Sequence, residues 1–187
     1  MVRCFISVDV EDDAILDTIA DAQRTLLDCG ADLKPVERQN THLTLRFIGE
    51  VSEDMVQEVA NFLEEVRFEP FKLSFKGVGA FPNDRFIRII WVGVESGGEE
   101  LKRIASAIDS KLRLIRVPSD KKGFSPHLTI ARVRSQRNTN KVSALLRVWK
   151  DRDFGSQQVN SIRLKKSVLT PTGPVYSTLF ERSAQKR

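Results

Sequence analysis

His42-Leu43-Thr44-Leu45-Arg46-Phe47-Ile48 and His127-Leu128-Thr129-Ile130-Ala131-Arg132-Val133 contain the only two histidines of the chain, and in each the histidine is followed by Leu-Thr and an aliphatic residue. Average residue usage gives this coincidence a chance on the order of 10⁻⁵, so a common cause is the better explanation. Both stretches have strand composition. Successive strand side chains alternate faces, so His42 and Thr44 share one face and Leu43 and Leu45 the other. The same alternation sets His127 and Thr129 against Leu128 and Ile130. Each strand therefore offers one imidazole and one hydroxyl on a polar face and anchors its aliphatic residues in a core.

Working outward, the two histidines lie 85 residues apart. The same offset carries Arg3 to Arg88 and Ser52 to Arg137, and each half reads strand, helix, His-Leu-Thr strand, helix, strand. Arg3–Val10, Thr41–Ile48, Phe71–Val78, Phe86–Val94, His127–Val133, Val159–Thr170 and Val175–Phe180 are the expected strands. Apolar residues at helical spacing mark helices over Asp12–Leu27, from Ser52 to about Val66, after Gly97-Gly98, and around Val142–Trp149. Pro171-Thr172-Gly173-Pro174 is a turn. The pattern is an α+β, bilobal duplicated fold: one domain of two pseudo-symmetric halves, about 1–80 and 86–170, whose polar faces line one groove.

The chain has 187 residues, 41% hydrophobic and 29% charged, as in a soluble globular protein. No apolar run approaches the ~20 residues that span a bilayer. Met1–Asp9 reads as a strand and lacks the apolar stretch and cleavage site of a signal peptide, so the expected location is the cytoplasm, with no membrane partner. The net charge of +5 is unevenly spread. Residues 1–30 are rich in Asp, whereas 111–137 hold Lys111, Arg113, Arg116, Lys121, Lys122, Arg132, Arg134 and Arg137. A basic second half suits an anionic ligand such as RNA, although a solvated charged surface would look the same. Cys4 and Cys29 fit no redox motif, and with the histidines they match no zinc spacing, so no metal and no cofactor are expected.

A single His-x-Thr is most often a hydrogen-bonded strand residue. Two, symmetrically placed, form an acid–base pair for phosphodiester chemistry. One neutral imidazole takes a proton from water while the other, protonated, gives one to the leaving ribose oxygen. Thr44 and Thr129 are placed to donate to the phosphate oxygens.

Asn40–Glu50 and Phe124–Arg132 resemble the two motif blocks of the 2H phosphoesterases. Arg3–Asp9, Gly77–Pro82, Trp91–Val94 and Ser167–Tyr176 extend the likeness over nearly the whole chain. More narrowly, the chain is similar to the bacterial and archaeal RNA 2′,3′-cyclic phosphodiesterases, also called 2′-5′ RNA ligases. The resemblance implies two antiparallel β-sheets flanking a central groove, with helices outside. It implies hydrolysis of RNA 2′,3′-cyclic phosphate ends, tRNA fragments among the candidates, to a 2′-phosphate. His42 would be the proton donor, His127 the proton acceptor, and Thr44 and Thr129 would hold the phosphate. Arg132 falls where the family has a phosphate-contacting arginine. Simple alternation puts it on the face of Leu128 and Ile130, so this role requires a bulge or the strand's end.

Phe47, Phe81, Phe124 and Tyr176 are candidates to stack on a base. For Phe47 the parity with Leu43 and Leu45 argues core packing instead. Lys121-Lys122-Gly123, just before the second motif, is a candidate phosphate contact. Two other readings stay open on the residues. One is reversible 2′-5′ RNA ligation of tRNA half-molecules, with an RNA 5′-hydroxyl replacing water in the same groove. The other is a non-catalytic RNA- or nucleotide-binding module. Nothing argues for an oligomer, so a monomer is the default.

Overall fold

The computed structural model describes residues 1–118 and 123–185. The element order is β1 (Val2–Asp9), α1 (Asp13–Asp28), β2 (Leu33–Pro35), a 3-10 turn (Arg38–Asn40), β3 (His42–Val51), α2 (Glu53–Glu65), β4 (Phe71–Pro82), β5 (Ile87–Ser96), α3 (Gly98–Leu114), β6 (His127–Val133), α4 (Thr139–Val148), β7 (Asp153–Val159), β8 (Ser161–Leu169) and β9 (Pro174–Ser183). They form a four-stranded sheet in the order β3-β1-β8-β9 and a five-stranded sheet in the order β2-β6-β5-β4-β7. Every pairing is antiparallel.

Local chemistry sets the helix starts. The Asp12 carboxylate accepts from the Ile15 N–H at 3.1 Å, and the Ser52 hydroxyl from the Met55 N–H at 3.2 Å, each satisfying a donor that has no partner in the first turn. Before α3 the chain turns at Gly97, with φ 83°, and a Cβ there would lie 2.6 Å from the Lys72 carbonyl oxygen. Only glycine combines that left-handed conformation with that closeness.

Each sheet draws strands from both halves of the chain. The two long helices cross over: α1 follows β1 of the four-stranded sheet and packs on β7 and β6, whereas α3 follows β5 of the five-stranded sheet and packs on β3. The buried faces of both sheets and the helices share one apolar core that includes Ile6, Leu43, Leu45, Phe75, Ile90, Leu128 and Ile130.

The expected strand Val159–Thr170 is β8, Ser161–Leu169, and its first expected residue instead ends β7, a strand that the sequence reading did not expect. β7 ends at Val159 and pairs with β4 in the five-stranded sheet, while β8 begins at Ser161 and pairs with β1 in the other. The run from Asp153 to Gln158 buries only Phe154 fully, so its polar composition hides a strand lying at a sheet edge. β2 has only three residues, too few to show a period.

Candidate active site

The His-Leu-Thr strands carry the same irregularity at the same place. Along β3 the register with β1 passes from Ser7↔Thr44 to Ile6↔Arg46, leaving Leu45 as an extra residue. Along β6 the register with β5 passes from Trp91↔Thr129 to Ile90↔Ala131, leaving Ile130 as the extra residue. A β-bulge resets the alternation of faces. Two consecutive residues then point inward, Leu45 with Arg46 and Ile130 with Ala131, all buried. The next residue, Phe47 or Arg132, returns to the face of the histidine and threonine. The bulge that Arg132 required is therefore present, and Arg132 lines the groove beside His127 and Thr129. The same device corrects the parity argument for Phe47: the residue is 59% exposed and lines the groove rather than packing in the core. Phe47 and Arg132 occupy matching positions, each five residues after its histidine.

Between the sheets lies a cavity of about 1000 Å³ lined by His42, Thr44, His127, Thr129, Arg132 and Tyr176. Both imidazoles are oriented by the backbone. The Nδ1–H of His42 donates to the Asn40 carbonyl oxygen at 2.7 Å, and the Nδ1–H of His127 to that of Ser125, also at 2.7 Å. A carbonyl oxygen only accepts, so Nδ1 carries the hydrogen and Nε2 is the atom free for proton exchange. His42 Nε2 lies 3.1 Å from the Thr44 hydroxyl.

Aromatic rings bracket each histidine. Phe5 stacks on His42 at 4.9 Å between centroids and Tyr176 meets its edge at 5.4 Å. Phe81 meets His127 edge-on at 4.9 Å, with Trp91 at 6.5 Å. Phe81 thus supports a histidine, whereas Phe124 and Tyr176 line the cavity itself. Gly79 makes room for the Trp91 indole, since a Cβ there would lie 2.2 Å from a ring carbon. Lys121 and Lys122 lie outside the described residues; Gly123 beside them lines the cavity.

Burial pushes the His42 pKa below the usual imidazole value, against the carbonyl hydrogen bond and the nearby Asp9, which act the other way. Asp9 sits opposite His42 in the β1–β3 register. Its Oδ2 accepts from Lys165 Nζ at 2.8 Å and Arg163 Nη1 at 3.0 Å, and its Oδ1 from the Ser7 hydroxyl at 3.0 Å. Burial raises the Asp9 carboxyl, but these partners outweigh it and hold its pKa below the usual value. Burial raises the Tyr176 phenol, against the nearby arginines.

Asn40 and Ser125, each two residues before its histidine, act through their backbone carbonyls, and the 85-residue offset of the two motifs is the signal that could have paired them. Phe5, Asp9 and Trp91 lie in stretches that carried the family likeness but no role, Arg163 and Lys165 lie in none, and strand pairing brings all five to the site. Among the described residues no group of three or more His, Cys, Asp or Glu is arranged to hold a metal ion.

Two sheets that each present a His-x-Thr face to one cavity define a phosphoesterase of the two-histidine class. The chain belongs to the LigT-like phosphoesterase family, whose model matches residues 8–91 and again 92–176. It is 44% identical to the RNA 2′,3′-cyclic phosphodiesterase of Aeropyrum pernix, over 83% of this chain and 88% of that one. It is 41% identical to the enzyme of the same name from Archaeoglobus fulgidus, over 95% and 97%. The crystal structure of a Thermus thermophilus protein superposes with a TM-score of 0.79 at 28% identity, covering 97% of both chains. Escherichia coli LigT shares the fold, with a TM-score of 0.78 at 23% identity over 99% and 98%.

Proposed function

We propose that this protein hydrolyses the 2′,3′-cyclic phosphate at an RNA end to a 2′-phosphate, with His42 as proton donor and His127 as proton acceptor. The observation that carries the reading is the pair of backbone-oriented imidazoles, one on each sheet, around a single cavity lined by Thr44, Thr129 and Arg132. Water attacks phosphorus and gives its proton to His127 Nε2 as the P–O3′ bond breaks. His42 Nε2–H gives its proton to the departing O3′, leaving a ribose 3′-hydroxyl and a 2′-phosphate monoester. Placing base and acid on opposite walls suits an attack in line with the leaving oxygen.

The threonine hydroxyls and the Arg132 guanidinium face the non-bridging oxygens and stabilise their charge. Burial disfavours the charged His42 ring in the free protein, and a phosphate anion beside the ring favours the imidazolium, so His42 takes a proton from solvent as the substrate binds. The scheme assigns no step to a metal or cofactor. Phe47, Phe124 and Tyr176 are the surfaces for the terminal base and ribose.

The relatives named RNA 2′,3′-cyclic phosphodiesterase, at up to 44% identity, support this substrate class. E. coli LigT, of the same fold, has been solved complexed with 3′-AMP. Both walls of the cavity come from one chain, so the proposed chemistry requires no second copy, in keeping with a monomer. The double match of the family model supports two related halves. No helix among the described residues is long and apolar enough to cross a membrane, and the reading takes the protein to act on RNA fragments, tRNA ends among them, in the cytoplasm.

The test is incubation with an RNA ending in a 2′,3′-cyclic phosphate, with EDTA present, followed by identification of the terminal phosphate. A 2′-phosphate is expected. His42→Ala and His127→Ala should each lose at least ~10²-fold in rate, the lower range for acid–base catalysis. No turnover by the wild type, or turnover only on adding metal, overturns the scheme.

A further inference from the structure

The cavity has two arms of different chemistry. One runs from Arg132 past Lys34 and Glu37 to Leu169 and Pro174. There the two sheets are tied together: Lys34 Nζ of β2 donates to the Thr172 carbonyl oxygen at 3.3 Å, and the Asn40 amide to that of Pro174 at 3.0 Å. On this side the charges of Lys34 and Glu37 cancel, and Leu169 and Pro174 supply apolar surface, whereas Arg46, Lys102 and Arg113 outnumber Asp109 on the other.

The other arm leads away past Phe47 and Phe124, with α3 as its wall. Lys102, Ala105, Ser106, Asp109 and Arg113 line it at helical spacing, a single helix face. From Lys102 to Arg113 that face is about 16 Å long at 1.5 Å per residue. Both oxygens of Asp109 are neutralised, Oδ1 by Arg46 Nε at 3.1 Å and Oδ2 by Arg113 Nη2 at 2.8 Å. Lys102 meets Glu99 at 2.7 Å in an exposed pair, of the kind that exchanges readily with solvent. This arm therefore carries cations, small side chains that leave a channel, and two aromatic rings, the combination that tracks single-stranded nucleic acid.

A cyclic phosphate sits at the end of its strand, so the remaining nucleotides leave the site in one direction only. We infer that the RNA chain 5′ of the cyclic phosphate runs out along α3, with Lys102 and Arg113 on its phosphates, so that the protein prefers oligonucleotide ends to cyclic mononucleotides. This rests on the phosphodiesterase reading above and adds the path of the strand to it.

The experiment compares kcat/KM for adenosine 2′,3′-cyclic phosphate with that for an RNA of about six nucleotides ending in the same group, long enough to cover such a track. The wild type should favour the oligonucleotide by about tenfold or more. Lys102→Ala/Arg113→Gln should abolish most of that preference through KM while leaving the mononucleotide within about twofold. Lys102→Glu alone should act in the same direction. Each lost phosphate contact lowers the slope of log affinity against log salt by roughly 0.7, so the double variant should flatten the oligonucleotide's salt dependence by about 1.4. Equal effects of the double variant on both substrates, or equal wild-type kcat/KM and salt slopes for the two, would overturn the track alone. Turnover of neither substrate by the wild type would overturn the phosphodiesterase reading beneath it.

Discussion

Replacing Asp9 by Asn keeps the shape of the side chain and removes its charge, which isolates the role of the ion cluster behind His42. The Asp9 and Lys165 side chains are 15% and 7% exposed and lie 2.8 Å apart. Arg163 would keep Glu11 at 2.6 Å and Glu181 at 3.1 Å. Lys165 has no other carboxylate among the described ion pairs, and the Tyr176 ring lies 6.0 Å from its ammonium. The substitution therefore strands one buried charge. Removing one partner of a buried pair costs about 3–5 kcal/mol, and the nearby ring favours the lower end, about 3 kcal/mol. For a chain of this length that is a fall of roughly 6–12 °C in Tm. Removing both charges in Asp9→Asn/Lys165→Met should restore stability to within about 1 kcal/mol of the wild type, because a matched apolar replacement avoids desolvating either ion.

The assay is thermal or urea unfolding of the four proteins of that cycle across pH. The Asp9 pKa is lowered in the folded state, so its contribution is present above the unfolded carboxylate value of ~3.9 and fades as pH falls through the folded value. The deficit of Asp9→Asn should therefore be full at neutral pH and shrink in acid. A loss below about 1 kcal/mol at neutral pH, or a double variant no more stable than the single one, would refute the reasoning.

Other outcomes follow from the same geometry. In an NMR titration of the free protein, His42 should titrate below ~6.5, and the stability its neutral ring confers should be lost as pH falls through that lowered value. Phosphate in the cavity should raise it, because an anion beside the ring favours the imidazolium. Phe47→Ala should change stability by no more than about 0.5 kcal/mol while raising KM, whereas Leu45→Ala, two residues earlier and buried, should cost about 2–5 kcal/mol by denaturant unfolding. Gly79→Ala should destabilise by about 1–3 kcal/mol, since its Cβ would lie 2.2 Å from a Trp91 ring carbon, and should lower kcat by moving the ring beside His127.

Much of this protein was legible in its sequence. Both His-x-Thr faces, the turn at Pro171–Pro174 and the α1, α2 and α3 segments follow from side-chain period and capping residues, which are local physics. What escaped was of two kinds. β2 is too short, and β7 too polar, to show a hydrophobic period. The bulges at Leu45 and Ile130 were hidden because each extra residue is itself aliphatic and buried, so the composition of the strand does not change where its parity does.

Sequence alone determined that His42 shares a face with Thr44 and His127 with Thr129, because alternation over two residues is fixed by the backbone. Tertiary structure alone decided where Phe47 and Arg132 point. A register slip is defined only against the neighbouring strand, β1 in one sheet and β5 in the other. It also decided that the two histidines meet across one cavity, and that Asp9 and Lys165, 156 residues apart, form an ion pair behind one of them. Those contacts join residues distant along the chain, and no local pattern encodes them.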